Sequence, residues 1–252
     1  MCCGDVLETE FLTFLWKIRK MNYIILPTYN EKENIGPLIE IIFSLLPEIN
    51  ILVVDDNSPD GTAAAVEELQ KKYPNLSLLK RPVKNGLGGA YIEAFKKLLA
   101  EEDVKNIVTM DADFSHNPKY LPQIIAEAEN YGLIIGSRYI RGGGIAEWEY
   151  WRRFLSWGGN FYARILLGRS VYDWTGGFNC IKADYLRKAN LDKIDLSGYA
   201  FIMGLKYFLI KAGASAKEIP IVFEARRGGE SKMSHHIISE GIIAPWKIIL
   251  KN

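Results

Sequence analysis

The chain has 252 residues, which is long enough for one large α/β domain or two small ones. Its 31 Lys and Arg residues nearly balance its 30 Asp and Glu residues, and a net charge of +1 argues against bulk nucleic-acid binding. The three cysteines form neither a C-x-x-C pair nor an even-numbered framework, which fits a reducing compartment and suggests no zinc site.

The two ends of the sequence are partly apolar. No run of about 18 uncharged apolar residues exists, so we do not expect a transmembrane helix. Residues 1–21 have the pattern of a short amphipathic helix followed by basic residues, and we expect a disposable extension there, not a signal peptide. Charged residues and Pro245 interrupt the apolar run at 237–250, so we expect residues 233–252 to form an amphipathic segment.

From residue 22 onward, short apolar runs alternate with helical patterns, as in a parallel sheet with crossover helices. The predicted strands are 23–26, 51–54, 76–79, 107–110 and 133–135. The predicted helices between them are 35–46, 62–73, 87–99 and 119–130. Sheets of this kind bind ligands at the carboxyl ends of their strands, so the polar residues that follow each strand are the candidates for a site.

The first strand leads into residues 26–31 (LPTYNE). Pro27 stiffens the exit from the strand, Tyr29 offers a flat face to a nucleobase, and Glu31 can accept hydrogen bonds from a base or a sugar. Alternatively, Asn30 followed by Glu33 resembles a helix capping box, and both interpretations can hold together.

The second strand is followed by residues 55–62 (DDNSPDGT). An acid at this place suits the hydroxyls of a ribose, whereas the second part of the segment is typical of a turn and a helix start. We therefore assign Asp56 to a ligand and Asp60 to the turn. Residues 84–90 (KNGLGGA), after the third strand, match neither a dinucleotide fingerprint nor a P-loop. Close approach to a ligand and a simple glycine-rich turn both remain open for them.

The fourth strand ends in two carboxylates, Asp111 and Asp113. If the strand continued, both would point the same way and repel each other unless a cation or hydrogen bonds compensated them. Hard oxygen ligands at a strand end suggest Mg²⁺ or Mn²⁺. The alternative is an Asx-type turn in which Asp113 caps the helix that Pro118 begins. Arg138, which leaves the next strand, is a candidate phosphate clamp because its planar fork binds oxyanions at two points.

Taken in order, the segments PTYNE (27–31), DDNSPDGT (55–62), MDAD (110–113) and GSRY (136–139) resemble the family 2 glycosyltransferases. Within that family the chain is similar to the dolichyl-phosphate (polyprenyl-phosphate) mannosyltransferases, over about residues 22–232. The resemblance implies an α/β GT-A fold, with a mostly parallel sheet flanked by helices and with C-terminal amphipathic helices at an interface. It further implies a nucleotide-sugar half at about 22–140 and an acceptor half at about 141–232.

The same resemblance implies an inverting transfer of mannose from GDP-mannose to a dolichyl or polyprenyl phosphate. The guanine and ribose of the donor would bind Pro27, Tyr29, Glu31, Val54 and Asp56. The donor diphosphate would be held, in part through Mg²⁺ or Mn²⁺, by Asp111, Ala112, Asp113, Arg226 and Lys232. The acceptor phosphate would bind Arg138, Arg152 and Ser156, close to a glycine-containing turn at 173–178 (DWTGGF). Asp111, Asp113 and Arg138 are thus the candidate catalytic residues.

Tryptophans at 148, 151 and 157 lie close to paired arginines, which suits the headgroup level of a bilayer. A buried aromatic core is the alternative. Together with the resemblance, the pattern predicts a peripheral protein on the cytoplasmic face of a membrane, and leaves room for a partner subunit that anchors it there.

One position departs from the family pattern, because Gly204 stands where the family usually has a glutamate. Two alternatives follow. The chain could transfer another sugar, from UDP-glucose or UDP-N-acetylglucosamine, to a polyprenyl phosphate or a glycan, or it could be a catalytically weakened homologue that binds a nucleotide sugar. A phosphate monoester is already anionic at neutral pH, so its attack does not require a strong general base, and the missing acid weighs less for that acceptor.

Overall fold

A computed structural model of the chain describes residues 22–189, 191, 194, 198–227 and 235–250. The predicted extension at residues 1–21 and the predicted phosphate ligand Lys232 lie outside these residues.

The strands of the described residues confirm the predicted alternation and continue it into the second half of the chain. They are β1 (Asn22–Thr28), β2 (Asn50–Asp55), β3 (Leu76–Lys80), β4 (Asn106–Thr109), β5 (Leu133–Ser137), β6 (Gly144–Ile145), β7 (Asn179–Lys182), β8 (Ala216–Pro220) and β9 (Val222–Phe223). Among the described residues, seven strands form one sheet in the order β3-β2-β1-β4-β7-β5-β8. It is parallel apart from β7, which runs antiparallel between β4 and β5. The short strands β6 and β9 pair separately.

Helices cover both faces of the sheet. They are α1 (Lys32–Leu45), α2 (Thr62–Gln70), α3 (Gly86–Leu99), α4 (Leu121–Glu127), α5 (Tyr150–Leu167), α6 (Ala183–Lys188), α7 (Gly198–Lys211) and α8 (His235–Leu250). The predicted helix at 119–130 is split into a 3₁₀ turn (Pro118–Tyr120) and α4. Among the helices that the structure describes, none combines the length and the hydropathy that crossing a bilayer requires.

Alternating side chains of the central strands fill two hydrophobic clusters, since successive residues of a strand point to opposite faces. Ile24 and Leu26 of β1 pack in one cluster with side chains of α1, α2 and α4. Ile25 lies in the other cluster with side chains of α3, α5, α7 and α8. Burial on both faces explains why these strands are short continuous apolar runs. The polar residues follow the buried runs, so they lie at the carboxyl ends of β1, β2 and β4, along one edge of the sheet.

Candidate active site

The two predicted carboxylates lie just beyond β4, where the strand pairing ends. The Met110 N–H still donates to the Ile25 carbonyl at 3.2 Å, and Asp111 begins the turn. Phe114 then adopts a φ of 65°, a left-handed conformation that costs a bulky residue about 1–3 kcal/mol. At Asp111 to Asp113 the chain therefore turns away from the sheet instead of extending β4.

Asp113 is the more strongly bound of the two acids. Its carboxylate accepts hydrogen bonds from the Ser115 N–H at 3.0 Å and the Ser115 hydroxyl at 2.6 Å. Arg226 donates to the other oxygen, through Nε at 2.9 Å and Nη2 at 2.7 Å. Burial opposes ionisation, but the Ser115 bonds and the Arg226 charge hold the pKa of Asp113 below its usual value. The predicted Asx turn is therefore present. The predicted cap is wrong, because Asn117 accepts from Lys119 N and caps the 3₁₀ turn.

Asp111 is the more accessible of the two acids, with 35 % of its side chain exposed. Its N–H donates to Nδ1 of His116 at 2.9 Å, and its Oδ2 lies 3.8 Å from the same nitrogen. Burial lowers the pKa of His116, so the imidazole brings no stable positive charge. Burial raises the pKa of Asp111 and outweighs the opposing effect of His116, and the charge of Asp113 raises it further, although Arg226 and Arg138 partly oppose this. The negative charge of the Asp111 carboxylate is thus poorly compensated.

The donor set at this turn fits a divalent cation that is completed by a substrate. Among the described residues, no group of three or more His, Cys, Asp or Glu side chains could hold a metal ion by itself. Mg²⁺ is usually bound by one or two carboxylates together with water and substrate phosphates. Asp111 and Asp113, with Ala112 buried between them, match that pattern. Arg226 supplies the positive charge at Asp113 in this structure.

Four of the predicted nucleotide residues lie at or directly after the ends of β1 and β2. Pro27 and Val54 are paired in the sheet, and the Asp56 N–H donates to the Thr28 carbonyl at 2.9 Å. The Tyr29 ring follows directly, and the Lys84 ammonium lies 3.4 Å from its centroid. The flat face that was predicted for a base is therefore covered by a lysine from the loop before α3.

Asp56 holds the loop that carries Lys84. The buried Asp56 carboxylate forms an ion pair with Arg81 and accepts from the N–H groups of Asn85 at 3.1 Å and Gly86 at 2.9 Å. Arg81 also binds Glu93 at 2.8 Å. Asp56 thus fixes the loop at 81–86, with Gly86 at a φ of 74° where α3 begins. A ribose at Asp56 would have to share the carboxylate with these partners.

The other acids after β1 and β2 have structural bonds. Asp60 accepts from the N–H of Thr62 at 2.9 Å and its hydroxyl at 2.6 Å, which confirms the turn interpretation. Glu31 accepts from Asn34 Nδ2 at 2.8 Å and is itself the residue before α1. The predicted capping box at Asn30 and Glu33 is therefore wrong, because the helix begins one residue later than the box requires.

The segment at 224–227, which follows β9, binds the turn that carries the two acids. The Glu224 N–H donates to the Ser115 carbonyl at 3.1 Å, and the Arg227 N–H donates to the Asp113 carbonyl at 3.0 Å. The Arg227 carbonyl in turn accepts from Asn34 Nδ2 at 2.8 Å. Residues 224–227 therefore connect the diacid to the start of α1 and place Arg226 on Asp113.

Arg138, which was predicted to bind the acceptor phosphate, is buried, and its guanidinium is already bound to protein groups. Its Nε lies 2.8 Å from Asp173 Oδ2, its Nη2 lies 2.7 Å from Asp173 Oδ1, and Nη2 also donates to the Thr175 hydroxyl at 2.7 Å. Burial would raise the pKa of Asp173, but the Arg138 charge and bonds outweigh it and lower this pKa to about 2. The two nitrogens that would clamp a phosphate bidentately are bound to a protein carboxylate.

The remaining acceptor candidates lie one turn apart on α5. The Ser156 hydroxyl accepts from the Tyr139 hydroxyl at 2.7 Å, which links it to the residue after Arg138. The Arg152 guanidinium packs over the Trp148 ring at 4.2 Å. The structure thus brings Ser156 next to the residue that follows Arg138, with Arg152 one turn earlier on the same helix.

Comparison with known proteins decides the family. The model of the family described as "Glycosyl transferase family 2" matches residues 23–189. The chain belongs to glycosyl transferase family 2. An undecaprenyl-phosphate mannosyltransferase of Micrococcus luteus is 40% identical over 219 residues, which cover 87% of this chain and 90% of that protein. A polyprenol monophosphomannose synthase of Mycolicibacterium smegmatis is 40% identical over 230 residues, which cover 89% of this chain and 86% of that protein.

A solved structure confirms the GT-A fold of this family 2 glycosyltransferase. It is the glucosyl-3-phosphoglycerate synthase of Mycobacterium tuberculosis in complex with Mn²⁺, UDP and glucosyl-3-phosphoglycerate. The superposition has a TM-score of 0.62 at 16% sequence identity and covers 93% of this chain and 82% of that chain. The central sheet with helices on both faces is thus an arrangement that the two proteins share.

The glycosyltransferase also carries a large exposed apolar face on α5 and α8. The two helices are joined where Trp246 Nε1 donates to the Tyr162 hydroxyl at 2.8 Å, and that hydroxyl donates to the Ile242 carbonyl at 3.1 Å. The exposed side chains of this face are Trp151, Phe154, Trp157, Phe161, Ile165, Ile242, Ile243, Trp246 and Leu250. The alternative of a buried aromatic core is therefore wrong for Trp151 and Trp157, whereas Trp148 is half-buried against Phe223.

The structure adds residues that sequence reasoning did not single out. Arg81 follows β3 directly, so its place at a strand end was a usable signal. Tyr139 is the second residue after β5 and was therefore also close to a strand end. Lys206 interrupts an otherwise apolar stretch of α7, and a charge in such a stretch indicates a specific buried partner.

Proposed function

We propose that this glycosyltransferase transfers mannose from GDP-mannose to the phosphate of a polyprenyl phosphate of the dolichyl type. The observation that carries the proposal is the 40% identity, over nearly the whole chain, to two proteins named for mannosylating such lipids. The positions of the described candidates support it, because the nucleotide candidates, the diacid and Arg138 lie at or beyond strand ends along one edge of the sheet, and Ser156 binds Tyr139 beside Arg138.

The donor would bind in the half at about 22–140. The guanine would stack on Tyr29, which requires the Lys84 ammonium to leave the ring face or the base to use the other side. Pro27 and Val54 would form the wall of this pocket, and Glu31 and Asp56 would accept hydrogen bonds from the base and the ribose. The diphosphate would then extend along the turn at Asp111, Ala112 and Asp113.

Departure of the nucleoside diphosphate creates negative charge at this turn. Mg²⁺ or Mn²⁺ held by Asp111 and Asp113 would neutralise part of that charge. Arg226 lies on the Asp113 carboxylate and can turn its guanidinium towards a bound diphosphate. We propose the same task for Lys232. Fixed charges contribute most where the cleft excludes water, since no solvent has to reorganise during the reaction.

The acceptor would bind in the half at about 141–232. An oxygen of the acceptor phosphate would attack the anomeric carbon in line with the departing diphosphate, which inverts the configuration. Arg152 and Ser156 would bind the acceptor phosphate. Because the Asp173 carboxylate fills the fork of Arg138 and balances its charge, we assign Arg138 the role of holding the turn at 173–175 beside the acceptor phosphate, not that of a bidentate clamp.

The lipid reaches the cleft from a membrane surface in this proposal. The apolar face of α5 and α8 exposes tryptophans and aliphatic side chains of the kind that enter the headgroup region of a bilayer. Arg152 and Ser156 lie on α5 itself, so docking this face would bring an acceptor phosphate to them. We therefore propose peripheral binding to the cytoplasmic face of a membrane. An anchoring partner subunit stays a prediction.

A panel of labelled donors tests the proposal. The purified protein would be incubated with Mn²⁺ or Mg²⁺, vesicles containing undecaprenyl phosphate, and GDP-mannose, UDP-glucose or UDP-N-acetylglucosamine. We expect label in the lipid from GDP-mannose alone. Label from a UDP-sugar would favour a different donor, and donor binding without any transfer would favour a catalytically weakened homologue.

A further inference from the structure

Helix α7 contains a buried lysine that the proposed reaction does not use. The Lys206 side chain is 0 % exposed, and its ammonium lies 2.6 Å from the Asp173 carbonyl and 2.8 Å from the Gly176 carbonyl. Burying an ammonium group is costly unless it is well compensated. These two carbonyls lie at the two ends of one short turn, so Lys206 binds the turn as a unit.

The same turn is held from two other elements. Asn160 of α5 accepts at Oδ1 from the N–H groups of Trp174 at 2.8 Å and Thr175 at 3.1 Å. Arg138, beyond β5, binds the Asp173 carboxylate, and that carboxylate also accepts from the Gly176 N–H at 2.8 Å. The backbone position of the turn is therefore fixed by β5, α5 and α7 together.

The turn leads directly to the diacid. A Cβ atom built on Gly177 would lie 3.4 Å from the His116 ring and 3.7 Å from Asp111 Oδ1. The Gly177 carbonyl accepts from the Thr109 hydroxyl at 2.6 Å. On its other side, Asn160 donates to the carbonyl of Ser156 at 2.9 Å. A small shift of this turn would therefore change the distance between Asp111 and the acceptor-phosphate candidates.

We propose that Lys206 is a positioning residue for sugar transfer, whose ammonium fixes the turn at 173–177 and thereby aligns the acceptor side of the cleft with Asp111. The assignment to the acceptor side rests on the proposed function. Lys206 touches neither substrate in this account, and it acts through the turn and through the Asp173–Arg138 pair.

The charges around Lys206 make its protonation state relevant. Asp173 and Glu218 face it with negative charge and Arg138 with positive charge. Glu218 also accepts from the N–H groups of Tyr172 at 2.9 Å and Asp173 at 3.0 Å. Burial, only partly opposed by Asp173, lowers the pKa of Lys206 to about 8. Loss of the proton would leave weaker, uncharged hydrogen bonds to the two carbonyls, because charge-assisted bonds are about twice as strong.

The test compares Lys206→Gln and Lys206→Met with Lys211→Met, a matched control for an exposed lysine on the same helix. Hydrogen exchange of the peptide that covers 172–178 measures the turn without any need for activity. Steady-state kinetics then use the donor and acceptor that the panel above identifies, and fluorescent GDP measures donor binding.

We expect faster exchange of the turn in both Lys206 variants and wild-type exchange in the control. In Lys206→Gln, kcat/KM for the acceptor should fall about ten- to one-hundred-fold, the rate equivalent of one charge-assisted bond, with donor affinity unchanged within about two-fold. The wild type should also lose acceptor kcat/KM above about pH 8, and Lys206→Gln should lack that transition.

Three results would overturn the proposal: unchanged exchange at 172–178, faster exchange with wild-type acceptor kinetics and pH profile, or a loss of donor affinity as large as the acceptor effect. If neither Lys206 variant folds, the pH profile of the wild type tests the proposal. Acceptor kcat/KM that stays constant from pH 7 to about 9.5 would contradict a role for the ammonium. Absence of transfer by the wild type would instead refute the proposed function, and the exchange data would still decide whether Lys206 positions the turn.

Discussion

Replacing Asp173 by Asn should destabilise the protein strongly, although it changes one atom. The Asp173 side chain is 0% exposed and receives two bonds from the buried Arg138 guanidinium, at 2.8 and 2.7 Å. An amide has the same size but no charge, and it presents an NH₂ group where one carboxylate oxygen accepts. The variant would therefore leave a buried guanidinium without its counter-charge.

The expected loss of stability follows from two arguments. The Asp173 pKa is about 2 in the folded protein, against 3.8 for an ordinary aspartate. This depression of the pKa corresponds to roughly 2–3 kcal/mol of folding free energy at neutral pH. Loss of one partner of a buried ion pair typically costs about 3–5 kcal/mol. We therefore expect Asp173→Asn to lower the free energy of unfolding by about 2–5 kcal/mol.

Urea unfolding at pH 7 measures this directly. A matched control is Asp184→Asn, because the Asp184 carboxylate is 77% exposed and its pair with Arg187 at 3.2 Å is expected to contribute less than about 1 kcal/mol. Since the folded pKa of Asp173 is depressed, its stabilisation is present above about pH 4 and is lost as the pH falls through 2. The gap between wild type and Asp173→Asn should narrow over that range. A gap below about 0.5 kcal/mol at pH 7 would refute the reasoning.

Two further predictions concern the surface and the core. Replacing Trp157 and Phe161 together by Ser should weaken flotation with anionic vesicles about ten-fold or more, since two apolar side chains are lost from the proposed membrane face, whereas Ile41→Ser on α1 should not. Equal binding of all three proteins would contradict membrane docking through α5. The Cys180 thiol is fully buried and burial raises its pKa to about 12, so iodoacetamide at pH 8 should leave it unmodified until urea unfolds the chain; peptide mass spectrometry that finds it alkylated in the native protein would contradict this.

The first half of the fold could be predicted because its signals are local. The apolar runs of β1, β2 and β4 are buried on both faces, and the segments between them have helical periodicity. The antiparallel strand β7 could not be placed in the same way. Its position between β4 and β5 depends on pairs such as Val108 with Cys180, which are distant in sequence and have no local signature.

The location of the candidate site could be predicted from the sequence, whereas the pairing of its charges could not. Residues after β1, β2 and β4 had to meet, because the carboxyl ends of parallel strands share an edge. Which charges pair there depends on the loops that fold over that edge. The sequence indicated Asp56 as a ligand and Arg138 as a clamp, but not that Arg81 and Asp173 would bind them. On α7 the sequence singled out Gly204. The charged group that binds the turn at 173–176 belongs instead to Lys206, two residues later.

The most direct test of the proposed reaction is a comparison of wild type and Asp111→Asn in one assay, with labelled GDP-mannose, undecaprenyl phosphate vesicles and Mn²⁺. The account predicts a labelled mannosyl lipid from the wild type and a loss of about 100-fold or more in kcat for the variant, since Asp111 is proposed to help hold the cation that neutralises the leaving diphosphate. The variant should keep a wild-type melting temperature within a few degrees. Turnover of Asp111→Asn at the wild-type rate, or no lipid product from GDP-mannose with the wild type, would contradict the account.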